Sequence, residues 1–198
     1  MNDTVYGHLR KFAAELTVPP GLEYPEISHG EIVMMMSPVK RHELAALRLR
    51  RQLDAQLPDG VVAHTGGDVE EQVLGILRRP DVIVFPESVL EEGDEQGIDP
   101  ADVLLAAEIV SRSNPENDYV GKMRDYPAMG IPHYLIVDPR AGIVLHHWKP
   151  TGSGDDARYA NTMEYAFGDI VTVGEWTVDT SVFLRYAAEG SDCRSERE

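Results

Sequence analysis

Asp81, Glu108 and Lys122 are the residues whose types and settings point to chemistry. Asp81 stands at the mouth of the apolar run Asp81-Val82-Ile83-Val84-Phe85, directly after Pro80, and Glu108 is the one charged residue of VLLAAEIV, residues 103–110. A carboxylate inside an apolar strand is costly unless it is paired or bound to a cation. If the two strands are neighbours, both acids meet at one edge of the sheet. A hard cation such as magnesium takes oxygen ligands of this kind and keeps several waters. Such an ion can activate water and stabilise charge on a phosphodiester. Lys122, on the helix that follows, could orient the nucleophile or stabilise the developing negative charge. Taken singly, Asp81 reads as a turn cap after proline and Glu108 as the partner of an arginine. The pair, with a lysine one short helix later, favours a site.

These residues need elements to hold them. Residues 3–16 show apolar residues at helical spacing and TVPPG ends that pattern. EIVMMM (31–36) reads as a core strand, residues 39–57 as the longest amphipathic helix, and 61–64 as a short strand. The strand opening at Asp81 follows, then the acidic stretch EEGDEQGIDPAD, expected to face solvent. The run 103–110 predicts a strand covered on both faces. Asn114-Pro115 predicts a helix start with asparagine as cap and proline at the first position, and Gly130 its stop. YLIV (134–137) is the next strand, and IVLHHW, NTMEYAF and DIVTV read as an antiparallel meander. The order implies an α/β (α+β mixed sheet) fold flanked by helices. One domain over 1–188 and a frayed polar tail over 189–198 are expected.

Within this frame the chain resembles a family. HGEIVMMMSP (29–38) with His42 following, RPDVIVF (79–85), and above all LAAEIVSRSNPENDYVGKMRDYPAMGIPHYLIVDP (105–139) are similar to the Uma-two type of restriction endonuclease-like proteins, in the PD-(D/E)XK nuclease superfamily. The likeness extends over residues 20–180. It implies a restriction-endonuclease-like core with antiparallel strands added at the N- and C-terminal ends. It also implies Asp81 and Glu108 as ligands of Mg2+ or Mn2+, joined by the backbone carbonyl of Ile109. Where the superfamily often places lysine, two residues after the glutamate, this chain has Val110, which makes Lys122 the candidate amine. His29 replaces an acidic residue before Gly30, with a consequence expected for a turn only.

Other candidates carry two readings each. His42 either lies over the site or is a surface histidine, and Glu31 is either a further acidic ligand or a strand-edge residue. Asp118 and Tyr126 flank Lys122 at four-residue spacing and share its helix face. They either hold its ammonium or form an ordinary helical pair. Ser111 and Ser113 lack the histidine and aspartate partners of a nucleophile and read as strand end and helix start. His146 and His147 are adjacent in a strand, point to opposite faces, and read as structural.

Composition bounds the rest. At 42% apolar and 26% charged, the chain suits a globular domain. No apolar run reaches the roughly 20 residues that span a bilayer, so no membrane partner is expected. The first residues lack an apolar signal core, and Cys193 is the lone cysteine, which excludes an internal disulfide framework. A cytoplasmic location is expected. The net charge of −16 sits awkwardly with a nucleic-acid partner, because phosphate contacts need cations. The positive residues are local: Lys40, Arg41, Arg48, Arg50 and Arg51, then Arg78 and Arg79. They form either a solvated face or a stripe toward nucleic acid. The leading expectation is a metal-dependent endodeoxyribonuclease, a homodimer acting on DNA. The competing ones are a catalytically silent binding or regulatory homodimer, and a scaffold whose meander aromatics Trp148, Phe167 and Trp176 form an interface.

Overall fold

The computed structural model describes residues 4–91 and 97–187. Helix α1 (Val5–Glu15) begins at Thr4, whose hydroxyl accepts from the Gly7 amide. A hairpin follows, β1 (Glu26–Ser28) and β2 (Glu31–Val33), joined by His29 and Gly30 at φ 51° and 76°. Two successive positive φ values give the turn whose twist matches a hairpin. Helix α2 (Lys40–Asp54) buries Ala45, Ala46, Leu49 and Leu53. Then come β3 (Val61–His64), β4 (Val69–Glu71), β5 (Ile76–Arg78), β6 (Val82–Pro86) and β7 (Leu105–Ile109). A π-helical turn, Asn117–Gly121, runs into α3 (Lys122–Ala128). The chain closes with β8 (His133–Asp138), β9 (Ile143–Thr151), β10 (Arg158–Ala166), β11 (Ile170–Val173) and β12 (Trp176–Asp179).

A six-stranded sheet in the order β10-β9-β8-β7-β6-β3 forms the frame. Its pairs are antiparallel except β7 with β8, where α3 makes the crossover a parallel pair requires. Alternation along β6 and β7 divides the core. Val82, Val84, Leu105 and Ala107 face α2 and the β11–β12 ribbon, while Ile83, Phe85 and Ala106 face Tyr126 of α3 and Met129, which caps it. The sheet is therefore covered on both faces, as the apolar run predicts. Each fully buried aliphatic side chain contributes about 1.5–3 kcal/mol. A second sheet, β2-β1-β5-β4, lies across the N-terminal part of the chain. The mixed α/β architecture with antiparallel additions at both ends is thus present.

Several expectations need correction. EIVMMM is not one core strand: pairing stops at Val33, and Met36 is 59% exposed and bridges back to Leu22. Its partner β1 has only three residues, so the ladder runs out. β1, β4 and β5 were not anticipated, because three-residue strands rich in charged residues carry no alternation to read. The predicted helix at Asn114 widens at once into the π turn, and the Asn114 amide donates to Ser111 Oγ. In the acidic stretch, 92–96 lie outside the described residues. The rest is anchored: Ile98 bridges Val69 and Pro100 is buried. The tail at 189–198 also lies outside the described residues. The meander is divided, with β9 and β10 extending the main sheet and β11–β12 forming a ribbon tied to α2 by Gln52 and Gln56. Trp148, Phe167 and Trp176 are partly buried within the chain; Phe167 packs 5.6 Å from Phe183. No described helix is long and apolar enough to cross a membrane.

Candidate active site

Strand pairing brings the two acids together. Val82 lies opposite Ala107, so continuing that register one place sets Asp81 opposite Glu108. Asp81 Oδ2 accepts from the Ile109 amide at 2.7 Å and lies 3.1 Å from His42 Nε2, on the first turn of α2. Glu108 is 2% exposed. Its Oε2 lies 2.8 Å from Lys122 Nζ and its Oε1 accepts from the Tyr126 hydroxyl. Lys122 Nζ is also 3.5 Å from Asp118 Oδ1 and 3.5 Å from Glu26 Oε1. Asp118, Lys122 and Tyr126 therefore point to one place, as their spacing suggests. Val110, where the superfamily often has its lysine, is buried among apolar side chains.

Two of the residues that complete this cluster were missed. Glu26 accepts from the Arg79 amide at 2.9 Å and from Arg78 Nη1 at 2.7 Å. Glu23 lines the same cavity. Glu31, the other acid expected near the site, is exposed on β2 and lines no part of this cavity. The only sequence signal for Glu26 is an acid shortly before a two-residue turn, which is weak. Arg78, read as part of a basic stripe, is 1% exposed and structural. Its guanidinium joins Glu26, Asn117 Oδ1 and Asp125 Oδ2, tying β1, β5, the π turn and α3 together. Asp125 also accepts from Ser28 Oγ, and His29 Nε2 stands 3.2 Å from it, so His29 contacts α3 besides shaping its turn. Gly121 faces this network: a Cβ there would sit 3.1 Å from Asn117 Oδ1 and 3.2 Å from Arg78 Nη2. The π turn, a form frequent at functional sites, passes there without a side chain.

The electrostatics follow from four carboxylates around one ammonium. Burial pushes the Glu108 carboxyl well up; Lys122 opposes this, and Asp81 and Asp118 add to it. Burial likewise raises Asp118, to about 6. Burial would lower Lys122, but Glu108, Glu26, Asp118 and Asp81 outweigh it and hold the ammonium charged. Burial would raise Asp81 as well; its bond to His42 and the nearby Lys122 pull it down. His42 is raised in turn, since Asp81 outweighs its burial. Lys122 thus shares the cationic role with Arg78, beside Glu26, and His42, beside Asp81.

The polar cavity between these side chains has a volume of about 40 Å³ and is lined by Asp81, Glu108, Ile109, Asp118 and Lys122, among others. A site needs roughly 10–15 Å³ to hold a water, so there is room for an ion or a few waters. Among the described residues, no three His, Cys, Asp or Glu side chains form a ready metal cage. Two carboxylates with a backbone oxygen and waters are nonetheless the ordinary requirement of Mg2+. The oxygen donors fit a divalent hard cation.

The sequence profile of Uma2, described as "Putative restriction endonuclease", matches residues 14–175. The chain belongs to the Uma2 family. No curated protein matches it. A solved structure from Anabaena variabilis, described as a "putative nuclease belonging to DUF820", superposes with a TM-score of 0.66 at 14% identity, covering 92% of this chain and 97% of that one. At that identity the likeness shows the fold: this Uma2 chain shares the architecture of that protein. The match spans β1 through β11, so every residue of the acidic cluster falls within the Uma2 region.

Proposed function

We propose that this Uma2 protein is a Mg2+- or Mn2+-dependent endonuclease that hydrolyses nucleic-acid phosphodiester bonds, with DNA as the first substrate to test. The observation that carries this reading is the convergence of Asp81, Glu108 and Lys122 on one polar cavity. Asp81, Glu108 and the Ile109 carbonyl would hold the ion. The N–H and C=O of a strand residue point to the same side, and the Ile109 N–H already points to Asp81. When bound, the ion supplies Lewis acidity toward the phosphodiester and toward water.

The chain's own side chains do the rest. Lys122 places a fixed positive charge beside Glu108, where it can orient the attacking water or stabilise the anionic phosphorane-like charge. Tyr126 fixes the Glu108 carboxyl from the other side and His42 fixes Asp81. Asp118 and Glu26 keep the ammonium in place. Asp118, poised near pH 6, can also take up a proton near neutrality.

A second reading rests on a specific observation. Both Glu108 oxygens are already engaged, by Lys122 and Tyr126, which suits a silent relative that replaced the ion with an ammonium. Titration calorimetry with Mn2+, paired with cleavage of plasmid and oligonucleotide substrates, separates the two. Binding and cleavage that disappear in Asp81→Asn and Glu108→Gln support the nuclease. Cleavage that survives both substitutions sinks the site assignment, and absence of Mn2+ binding at millimolar concentration favours the silent relative.

A further inference from the structure

The acidic cavity is the neck between two wider clefts. On one side lies a cleft of about 610 Å³ bordered by Lys40, Thr65, Gly66 and Arg79. On the other lies one of about 220 Å³ bordered by Ser111, Arg112, Ser113 and Tyr186. Pro38 and His42 line all three, so the spaces adjoin at those two side chains. One aromatic ring paired with a guanidinium lines the neck itself, where Arg79 also borders the wider cleft, and a second lines the smaller cleft. Arg79 lies over Tyr24 at 4.9 Å, and Arg112 lies over Tyr186 at 5.0 Å. Tyr24 is 61% exposed, although it has a polar pocket and a guanidinium beside it.

We propose that the occupant of this track is a single-stranded segment of nucleic acid, gripped by base stacking at Tyr24–Arg79 and Tyr186–Arg112, rather than an intact duplex. The inference rests on reading the same cavity as a nucleic-acid site. Two observations favour a single strand. The oxygens and ammonium that would meet the phosphate are recessed: Glu108 is 2% and Lys122 3% exposed. A duplex, stiff over about 150 base pairs, must be deformed to bring its backbone into such a neck, whereas a single strand bends into it at little cost. Duplex binders draw affinity from many phosphate contacts, and a chain of net charge −16 offers few cations along this track. Stacking of bases on aromatic and arginine planes supplies affinity without a broad basic face.

The test is fluorescence anisotropy of labelled oligonucleotides of one sequence, single-stranded DNA, single-stranded RNA and duplex DNA, with the whole protein in Ca2+. The expected result is single-strand binding, of DNA or RNA, at least about tenfold tighter than duplex binding. Tyr24→Ala should weaken it by about fivefold or more, the low end of the loss of one stacked base. Arg112→Gln, an independent surface change at the other platform, should weaken it also. Circular dichroism verifies that both variants fold. Duplex binding equal to or tighter than single-strand binding overturns the proposal. So does single-strand affinity untouched by both substitutions, or no binding of any oligonucleotide. A parallel Mn2+ cleavage assay keeps the two readings apart. Single-strand binding without cleavage removes the nuclease and leaves this track, and duplex cleavage with single strands ignored does the reverse.

Discussion

Two regions of this molecule bury titratable side chains, and they resolve the cost in opposite ways. At the β6–β7 edge, Asp81, Glu108, Asp118 and Glu26 surround one lysine, which they hold charged beside a polar cavity that adjoins a wider cleft. On β8 and β9, His133, His146 and His147 lie under aromatic rings. His133 Nδ1 is 3.0 Å from His146 Nε2, and His146 stacks on Trp148 at 4.7 Å. His147 shares Nδ1 with Thr162, stacks on Tyr134, and leaves Nε2 without a partner. Burial holds His146 and His147 down to about 4, so both stay neutral near pH 7. The histidine region avoids charge, while the acidic region pairs its carboxylates with Lys122, Arg78 and His42. On the proposed reading, perturbed buried carboxylates beside a cleft mark the site, and the neutral stacked rings are packing.

The largest effects should expose that difference in stability. Arg78→Met removes the guanidinium that Glu26 and Asp125 share and leaves them Lys122 at 3.5 Å and Arg124 at 3.0 Å, and should cost about 3–5 kcal/mol in urea unfolding. His147→Phe replaces a ring that already leaves one nitrogen unpartnered, and should stay within about 1 kcal/mol. Comparable losses would show that the histidines are as tightly coupled as the ion pairs, and the contrast would fail.

Cleavage should part the regions in the other direction. Glu108→Gln is expected to lower turnover by about 10²–10³-fold, the scale of losing one preorganised electrostatic group. Its melting temperature should hold or rise, because a repelling carboxylate is gone while Lys122 keeps Glu26 and Asp118. His133→Gln and His146→Gln should leave turnover within about twofold. A Glu108→Gln protein that melts early and still cleaves would reverse the assignment of both regions.

How much of this was legible depended on how far each residue's partners lie along the chain. Asp81 and Glu108 each stand against an apolar run, a local conflict any reader can see, and Lys122 was found through the family's pattern. Asp118 and Tyr126 followed from helical spacing. Glu26 was invisible because its meaning lies in Arg78, 52 residues away, and because β1 has three residues and no period. Arg78 misled for the same reason: a buried arginine and a surface one look alike until the partners are placed. The π turn has no sequence signature, only the tight approach at Gly121 that permits it.

Acidity also bears on metal affinity. Asp118 is raised to about 6 and Glu108 is raised as well, so an incoming cation must displace protons in mildly acidic solution. Mn2+ affinity should rise as pH climbs from about 5 to 7, by up to roughly tenfold per unit for each proton released. Asp118→Asn should flatten that slope. A pH-independent affinity in the parent protein would mean that neither carboxyl answers to the ion.

The smallest effect is the sharpest comparison, since both regions titrate in one window with opposite sign. Asp118 has a folded pKa of about 6, above the ordinary carboxylate value near 4, so the folded state binds the extra proton between them. Its contribution to stability is therefore present in acid and lost as pH rises through that range. His146 and His147 have folded values of about 4, below the ordinary 6.5. The unfolded state binds the extra protons there, so their contribution is present above about 6.5 and lost as pH falls toward 4. The parent curve between pH 4 and 6.5 should thus be shallow, as a difference of opposing slopes. Asp118→Asn should steepen the loss of stability on acidification, and His146→Gln should lessen it. Urea midpoints for the three proteins at intervals of half a pH unit decide the matter. Parallel curves would mean that burial in the two regions is energetically the same after all, and that neither charge nor its absence marks the site.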